Sequence, residues 1–226
     1  MAFFKGCGRR TFFLPFLWTT SLVSKRNLST KNVLPIVGND TNAALVAERF
    51  FGDCSPNSML ISIGRGVGAA LCLNDVIIEG SSFTAGEIAH VVVDPNGPIC
   101  ECGKQGCLES FVSGDRLQQR ISQDPAARTH ILTEAGALLG RVMAIPAGLL
   151  DLRDISVYGA PEIVNTQFID AMENEISRTV TTDYQEAPQI HRCRQGEDLT
   201  LRGQATIVIR TLVPTIHERG SLIGEA

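Results

Sequence analysis

The segment "GEIAHVVVDPNGPICECGKQGCLES", from position 86 to 110, concentrates residue types that could do chemistry. It holds one histidine and three cysteines, with glutamates at positions 87 and 109. A tetrahedral zinc site takes four ligands, and thiolates together with imidazole are the usual set. His90, Cys100, Cys102 and Cys107 supply four such ligands. The segment therefore predicts a zinc site, and a structural one because all four positions are filled by the protein.

The chain between these ligands explains why a metal would be needed. We expect "VVVDPNGPI" to form a strand followed by a Pro-Gly loop, with no compact core of its own. Ordering such a loop costs chain entropy, and a structural zinc contributes about 10–16 kcal/mol in small zinc-binding domains. Gly97, Gly103 and Gly106 would let the backbone turn tightly enough to direct three sulfurs at one point.

Two other interpretations of the cysteines are weaker. A redox-active pair is more often C-x-x-C near a helix, and it would leave His90 without a role. A zinc knuckle that binds nucleic acid would interleave basic and aromatic residues with its ligands. Lys104 is the only positive charge between Cys100 and Cys107, and no aromatic residue lies there.

Composition sets wider limits on the function. The 226 residues are 44% hydrophobic, which is enough for one domain, or two small ones, with a real core. A net charge of −4 without a basic stripe gives no electrostatic reason to expect nucleic acid. Seven cysteines, an odd number, argue against a secreted disulfide framework and favour a reducing compartment, the cytoplasm. The four cysteines outside the cluster are expected to be buried small hydrophobes: Cys7, Cys54, Cys72 and Cys193.

The first 39 residues differ in character from the rest. They contain no acidic residue and six basic ones. Their apolar stretch "FFLPFLW" is too short to span a bilayer and is interrupted by Pro15. The composition is compatible with a signal-like or transit-like segment, but we favour an irregular leader. After it we expect no membrane-spanning segment.

The elements that must position the cluster alternate between strands and helices. Buried strands are predicted at "VLPIVG", "MLISIG" and "DISVYG", and a pair of strands around Asn74 and Asp75. A first helix is predicted with Thr41 as its cap and an end at Gly52. Three more helices are predicted: Ile131 to Leu150, ended or kinked by Pro146; one with Val164, Phe168, Met172 and Ile176 on one face; and about Leu201 to Leu212. This order indicates an α/β fold with a sheet covered on both faces.

The ordered pattern E-x-x-H, nine residues, then C-x-C-G-x-x-G-C-L-E resembles the signature of the ROK family of repressors, open-reading-frame proteins and kinases. The resemblance runs from about Leu34 to the carboxyl end. It implies an actin-like (hexokinase/ribonuclease H-like) α/β fold, in which two lobes hold a sugar in their cleft and zinc shapes the sugar pocket. On this basis we expect a truncated fold with its first lobe mostly missing. The expected parts are an irregular basic leader (1–32), a remnant of the first lobe (33–56) and the second lobe with the zinc-binding loop (57–226).

The resemblance also assigns roles to single residues. In "GNDTNAAL", Asn39 would hold sugar hydroxyls and Asp40 would stand where the kinases keep their catalytic base. Glu87 and Glu109 match sugar-binding carboxylates, and His90 matches a residue that both ligates zinc and contacts sugar. From the residues alone, Asp40 is better explained as a residue in the first turn of a helix, where Asn-Asp pairs are common.

The chain departs from the family kinases on the phosphate side. It has no D-x-G-G-T loop, and "IGRGVGAA" stands where the kinases have G-T-G-x-G, so that an arginine replaces the threonine. We treat this stretch as the remnant of a phosphate loop: Gly64, Arg65, Gly66 and Gly68. Of the glycine run near the adenosine pocket only Gly159 is kept, and Ala89 replaces the glycine before the histidine. Phosphoryl transfer depends on positioning the phosphates and stabilising their charge, so these losses favour a sugar sensor over an enzyme.

The expected function is therefore that of the sugar-sensing effector domain of a ROK-type transcriptional regulator, binding a hexose or an amino sugar. Structural zinc is the expected cofactor, with ATP and Mg²⁺ only if the chain is a kinase. No DNA reader is recognised in residues 1–39, although the full-length protein could bind DNA; no membrane partner is expected, and a homodimer is implied by resemblance. The alternatives are an ATP-dependent sugar kinase with Asp40 as base, and an inert relic.

Overall fold

The protein was analysed as a computed structural model, which describes residues 38–193, 196 and 198–212. The predicted strand at "VLPIVG" and the leader lie outside the described residues, except for Gly38. The helices are α1 (Asp40–Phe51), α2 (Glu109–Val112), α3 (Gly114–Gln123), α4 (Arg128–Leu150), α5 (Thr166–Val180) and α6 (Leu199–Leu212). The strands are β1 (Ser58–Ile63), β2 (Val67–Leu73), β3 (Val76–Ile77), β4 (Asp154–Gly159) and β5 (Gln189–Arg192).

The described strands form one mixed sheet in the order β3-β2-β1-β4-β5. β1 pairs antiparallel with β2 and parallel with β4, and β5 extends the parallel part. Asn74 and Asp75 both have positive φ, as a tight turn between antiparallel strands requires. The predicted strands at "MLISIG" and "DISVYG" and the pair around Asn74 and Asp75 are confirmed.

Helices cover both faces of this sheet, as predicted. One face, with Met59 and Ile61 of β1, packs in a core cluster with residues of α4 and α5. The opposite face, with Leu60 of β1, shares a second cluster with residues of α1 and the start of α6. The alternation follows from the two-residue period of a strand. The predicted apolar face of α5 is confirmed for Phe168, Met172 and Ile176, which are fully buried, whereas Val164 is buried just before the helix begins.

The starts of α1 and α4 differ from the prediction, since α4 begins at Arg128 and not at Ile131. The cap of α1 is Asn39, whose side chain accepts from the backbone N–H groups of Thr41 and Asn42; Thr41 itself is buried within the helix. Pro146 does not end α4, which continues to Leu150. A proline removes one backbone donor, but the buried residues on both sides of Pro146, Met143 and Ala147, keep that turn packed against the core.

One segment has the length and composition of a membrane span, although the sequence predicted none after the leader. Among the described residues, one helical stretch, Pro125–Leu150, is long and apolar enough. Half of its apolar window is buried inside the fold. Leu132 and Leu139 have no exposed surface, because this face of α4 belongs to the core cluster.

Candidate metal centre and adjoining carboxylates

The structure brings the four predicted metal ligands together. The donor atoms of His90, Cys100, Cys102 and Cys107 all lie within 4.8 Å of one another. Cys100 Sγ is 3.6 Å from His90 Nδ1, and the sulfurs of Cys102 and Cys107 are also 3.6 Å apart. Three sulfurs and one imidazole nitrogen at this spacing fit the donor set of a tetrahedral zinc ion.

The loop that carries these ligands folds back on itself. The N–H of Cys100 donates to the carbonyl of Lys104, and the N–H of Gly106 donates to that of Pro98. Gly106 has a φ of +74°, and a Cβ there would lie 1.5 Å from the carbonyl oxygen of Asp94. Only glycine fits such a conformation and such a close approach. The tight turn that aims Cys107 at its neighbours therefore depends on Gly106.

The predicted strand at "VVVDPNGPI" is wrong. Val92 forms one isolated bridge with Cys107, and Ile99 forms another with Gln105. Val91 and Val92 are half exposed. Among the described residues no strand lies beside this segment to extend the ladder, so Val92 and Ile99 make two bridges of a narrow loop and no sheet strand forms.

The electrostatic surroundings of the sulfurs differ. Burial raises the pKa of the Cys107 thiol to about 11, and neighbouring thiols add to this effect. The pKa of Cys102 is lowered, chiefly by a hydrogen bond from the backbone N–H of Lys104. Metal ions bind thiolates, so a cation at this point would stabilise the charged form of Cys107, which burial otherwise keeps neutral.

Glu109 joins the metal group to the sheet. Its Oε2 accepts from the backbone N–H of Val67 at 3.1 Å, and its Oε1 lies 3.9 Å from Cys100 Sγ. A Cβ at Gly66 would lie 2.6 Å from Glu109 Oε2. The carboxylate is therefore held between the cysteine loop and the glycine turn that ends β1.

Three consecutive residues of β2 hold the segments that carry the other predicted sugar-binding residues. Val67 binds Glu109, as above. Gly68 faces the start of α1, where a Cβ would lie 2.6 Å from Thr41 Oγ1. A Cβ on Gly86, the residue before Glu87, would lie 2.0 Å from the carbonyl oxygen of Ala69. The amino end of β2 thus brings three separate parts of the sequence to one region.

The remaining predicted residues stand at the edges of these segments. Asn39 caps α1, and its Oδ1 accepts hydrogen bonds from two backbone N–H groups. Asp40 is exposed and begins α1, with one carboxylate oxygen accepting from the N–H of Thr41. Glu87 is exposed just before the short 3₁₀ turn Ile88–His90. The amide nitrogen of Asn39 and the carboxylates of Asp40 and Glu87 are the groups these residues can offer a polyol.

Gly64, Arg65 and Gly66 of the predicted phosphate-loop remnant form the turn between β1 and β2, whereas Gly68 lies within β2. The N–H of Gly64 donates to the carbonyl of Gly66, and the carbonyl of Gly64 accepts from the N–H of Gly114. Arg65 is exposed at the tip of this turn. The turn is closed by its own backbone and by the start of α3.

A second group of metal-ligand types was not predicted. Donor atoms of Cys54, Asp154 and His191 lie within 4.8 Å of one another on the α1 side of the sheet. The prediction that the scattered cysteines are buried is confirmed for Cys54, Cys72 and Cys193, while Cys7 lies outside the described residues. Burial raises the pKa of the Cys54 thiol. No sequence motif marks this group, because its members are far apart along the chain.

Comparison with known proteins agrees with this geometry. The model of the ROK family matches residues 20–211. A putative xylose repressor of Caldicellulosiruptor sp. (strain Rt8B.4) is 36% identical over 100 residues, 43% of this chain and 25% of the repressor. An N-acetylmannosamine kinase of Haemophilus influenzae (strain PittEE) is 30% identical over 190 residues, 74% of this chain and 60% of the kinase. The chain thus spans between a quarter and three fifths of the length of these two relatives.

Solved structures show the same fold. A ROK family transcriptional regulator, a homologue of the Escherichia coli MLC protein, superposes with a TM-score of 0.71 at 24% identity, over 80% of this chain and 53% of the regulator. A ROK family glucokinase from Streptomyces griseus, in complex with glucose and AMPPNP, gives 0.69 at 24% identity, over 81% of this chain and 71% of the glucokinase. The architecture is therefore the actin-like α/β fold that the resemblance implied.

Proposed function

The chain belongs to the ROK family, and from that premise we propose that it is the sugar-sensing effector module of a ROK-type transcriptional regulator. Its ligand is a hexose or an amino sugar. Asn39, Asp40, Glu87, His90 and Glu109 bind the hydroxyl groups, because carboxylates and an amide form the paired hydrogen bonds that polyols require.

The observation that carries this proposal is the position of Glu109. One of its oxygens lies beside the sulfur of Cys100, and the other accepts from Val67 on β2. An ion held by His90 and the three cysteines would fix the loop that precedes Glu109. Bound zinc supplies a structural cross-link, and the chain's own side chains bind and orient the sugar.

The same contact favours sensing over phosphoryl transfer. A phosphate loop works by presenting free backbone N–H groups to an anion. Here the N–H of Val67 is already taken by a carboxylate, which stands 2.6 Å from the Cβ position of Gly66. In the same turn the N–H of Gly64 already donates to the carbonyl of Gly66.

The alternative function is that of an ATP-dependent sugar kinase with Asp40 as base. It is favoured by the similarity to N-acetylmannosamine kinase over 74% of this chain, and by the exposed carboxylate of Asp40. In that case Asp40 would accept the proton of the attacking hydroxyl, and ATP with Mg²⁺ would be the cofactors.

Thermal unfolding in the presence of individual sugars, with and without Mg²⁺-ATP, separates the two functions. Xylose, glucose, N-acetylglucosamine and N-acetylmannosamine are suitable probes. A sensor shows a sugar-specific rise in Tm that Glu87→Gln and Glu109→Gln reduce, with no formation of ADP. Sugar-dependent ADP release that disappears in Asp40→Asn would instead establish the kinase. An unchanged Tm with every sugar, together with no turnover of ATP, would show that the chain is neither a sensor nor a kinase but an inert relic.

Two features of the whole protein belong to the same proposal by family resemblance. These are a homodimer and the division into residues 33–56 and 57–226; a cytoplasmic location is proposed from the odd number of cysteines. Sedimentation of the purified chain with and without the bound sugar tests the first of them.

A further inference from the structure

The group formed by Cys54, Asp154 and His191 is assembled by the register of the sheet. Asp154 and Ser156 lie two residues apart on β4, so their side chains point to the same face. Ser156 is paired directly with His191 of β5. Cys54, in the loop before β1, places its sulfur 2.9 Å from the hydroxyl of Ser156, and His191 Nε2 lies 2.9 Å from the same hydroxyl.

The carboxylate of Asp154 is an independent observation that points to a ligand at this group. The residue is only 5% exposed. Its Oδ2 accepts from the N–H of Ser55 at 2.7 Å, whereas its Oδ1 is buried and has no hydrogen-bond partner in the described part of the chain. A buried carboxylate oxygen without a partner costs free energy. A cation bound beside it would remove that cost.

We propose that Cys54, Asp154 and His191 form a second zinc site, separate from the cysteine loop. Sulfur, imidazole nitrogen and carboxylate oxygen are the three donor types that Zn²⁺ takes in proteins. Mg²⁺ and Ca²⁺ prefer oxygen ligands and do not suit a thiol and an imidazole. The hydroxyl of Ser156, or a water molecule, completes the fourth position.

The site is remote from the proposed sugar cleft. Helix α1 begins at Asp40, beside the turn between β1 and β2, and ends at Phe51, three residues before Cys54. Twelve helical residues span about 18 Å, so the two metal sites lie near opposite ends of this helix. Zinc at the second site would cross-link the loop after α1 to β4 and β5, and its role would be to stabilise the sheet.

Metal content tests the proposal. Each protein is loaded with Zn²⁺, dialysed against metal-free buffer and measured by mass spectrometry of the metal. We expect two zinc ions per wild-type chain, and one in Cys54→Ala and in His191→Gln. Cys72→Ala is the matched control: this cysteine is fully buried on the same face of the sheet but is not in the group, and its variant should retain two.

His191→Gln guards against misfolding, since this side chain is only partly buried and an amide replaces the imidazole. Circular dichroism checks that the variant is folded. Substitution with Co²⁺ provides a second signature, because the thiolate-to-cobalt absorption should fall in Cys54→Ala and stay in Cys72→Ala. The proposed site is overturned if wild type, Cys54→Ala and His191→Gln contain the same amount of zinc. It is also overturned if Cys72→Ala loses as much zinc as Cys54→Ala and His191→Gln do. Failure of sugar sensing would leave these metal counts unchanged.

Discussion

At the scale of the residue, Glu109 has two separable roles. Its carboxylate satisfies the N–H of Val67, a residue that is 8% exposed, and it also carries the charge proposed to bind sugar. Stability and binding should therefore respond differently to different substitutions of this one side chain.

We expect Glu109→Ala to lower the free energy of unfolding by about 1–3 kcal/mol, the usual cost of leaving a buried donor unpaired. Glu109→Gln keeps an oxygen that can accept from Val67, so we expect it to cost less than half as much. Urea unfolding of the two variants measures the difference. Equal losses would contradict the bridging role, because they would mean that the charge alone matters.

Cys72 makes the stability of the protein depend on alkaline pH. Burial raises the pKa of its thiol from 9.0 to about 11. Between these values the unfolded chain releases this proton and the folded chain retains it, so the free energy of unfolding falls as the pH rises. Below about pH 9 both states hold the proton and the effect vanishes.

We therefore expect the fall in unfolding free energy between about pH 9 and pH 11 to be shallower in Cys72→Ala than in the wild type. Thermal or urea unfolding at a series of pH values measures both slopes. Parallel curves would show that Cys72 ionises equally in the folded and unfolded states. Cysteine burial was predicted from composition, but this local consequence depends on packing that composition does not reveal.

At the scale of the element, the cysteine loop offers a pair of glycines that separate backbone strain from steric conflict. Gly103 and Gly106 both have positive φ, but a Cβ at Gly103 would meet nothing within 4 Å, whereas one at Gly106 would overlap the carbonyl of Asp94. Both positions favour glycine by conformation. Only Gly106 also needs the space.

We expect Gly103→Ala to cost about 1 kcal/mol, the strain of a side chain in the left-handed region, and to leave the zinc content unchanged. Gly106→Ala should displace Cys107 and lose the metal of the loop. Zinc content and Tm, measured side by side, distinguish the two. Full zinc retention in Gly106→Ala would mean that the turn does not position the ligands.

The contact between α1 and α6 is equally specific. A Cβ at Gly203 of α6 would lie 1.6 Å from the carbonyl oxygen of Ala43 in α1. A Cβ at Gly148 of α4 would make only ordinary van der Waals contact, with the side chain of Val180 at 3.8 Å. The two glycines thus differ in whether a neighbouring backbone fills the space.

Gly203→Ala should push α6 away from α1 and destabilise the fold by about 1–3 kcal/mol. Gly148→Ala should raise stability by about 0.5–1 kcal/mol, because alanine loses less conformational entropy than glycine in a helix. Urea unfolding of both variants is the measurement. A neutral Gly203→Ala would show that α6 packs more loosely on α1 than the structure indicates.

These elements also show how far the sequence alone could lead. Apolar runs predicted β1 and β4, and apolar periodicity predicted α5, because the burial of these elements determines the local order of their apolar residues. Strand β5, "QIHR", was missed because it is short and has only one buried residue. Helix α3 was missed because it has only two buried positions. Thr41 was wrongly predicted as the cap of α1, because threonine is common both at the cap position and in the first turn of a helix.

At the scale of the whole molecule, the two groups of metal-ligand residues differ in how far the sequence alone could predict them. The four loop ligands lie within 18 residues of sequence, from His90 to Cys107, so their spacing alone predicted a site. Cys54, Asp154 and His191 come together only through strand register, which depends on the entire sheet. The fold class could be predicted from the order of elements, whereas a site assembled by tertiary structure could not.

The two groups should also differ in what their removal does. The core clusters on the two faces of the sheet draw mostly on helices and strands outside the cysteine loop. Four residues between positions 88 and 109 are buried and apolar, namely Ala89, Cys100, Cys107 and Leu108, and only Ala89 and Leu108 belong to a core cluster. Removing the loop metal should therefore release the loop without unfolding the sheet, since the apolar contacts of β1 and β4 remain.

Hydrogen exchange before and after treatment with a strong chelator measures this separation. We expect the amides of residues 91–108 to lose protection by at least tenfold, because the turn hydrogen bonds of Cys100 and Gly106 hold only while the ligands are gathered. Amides of β1 and β4 should stay protected, and Cys102→Ser should reproduce the pattern without chelator. Global loss of protection would mean that the loop metal is part of the folding core. Unchanged protection in the loop, with zinc removed, would show that backbone turns alone hold the carboxylates in place, and that the metal has no part in shaping the cleft.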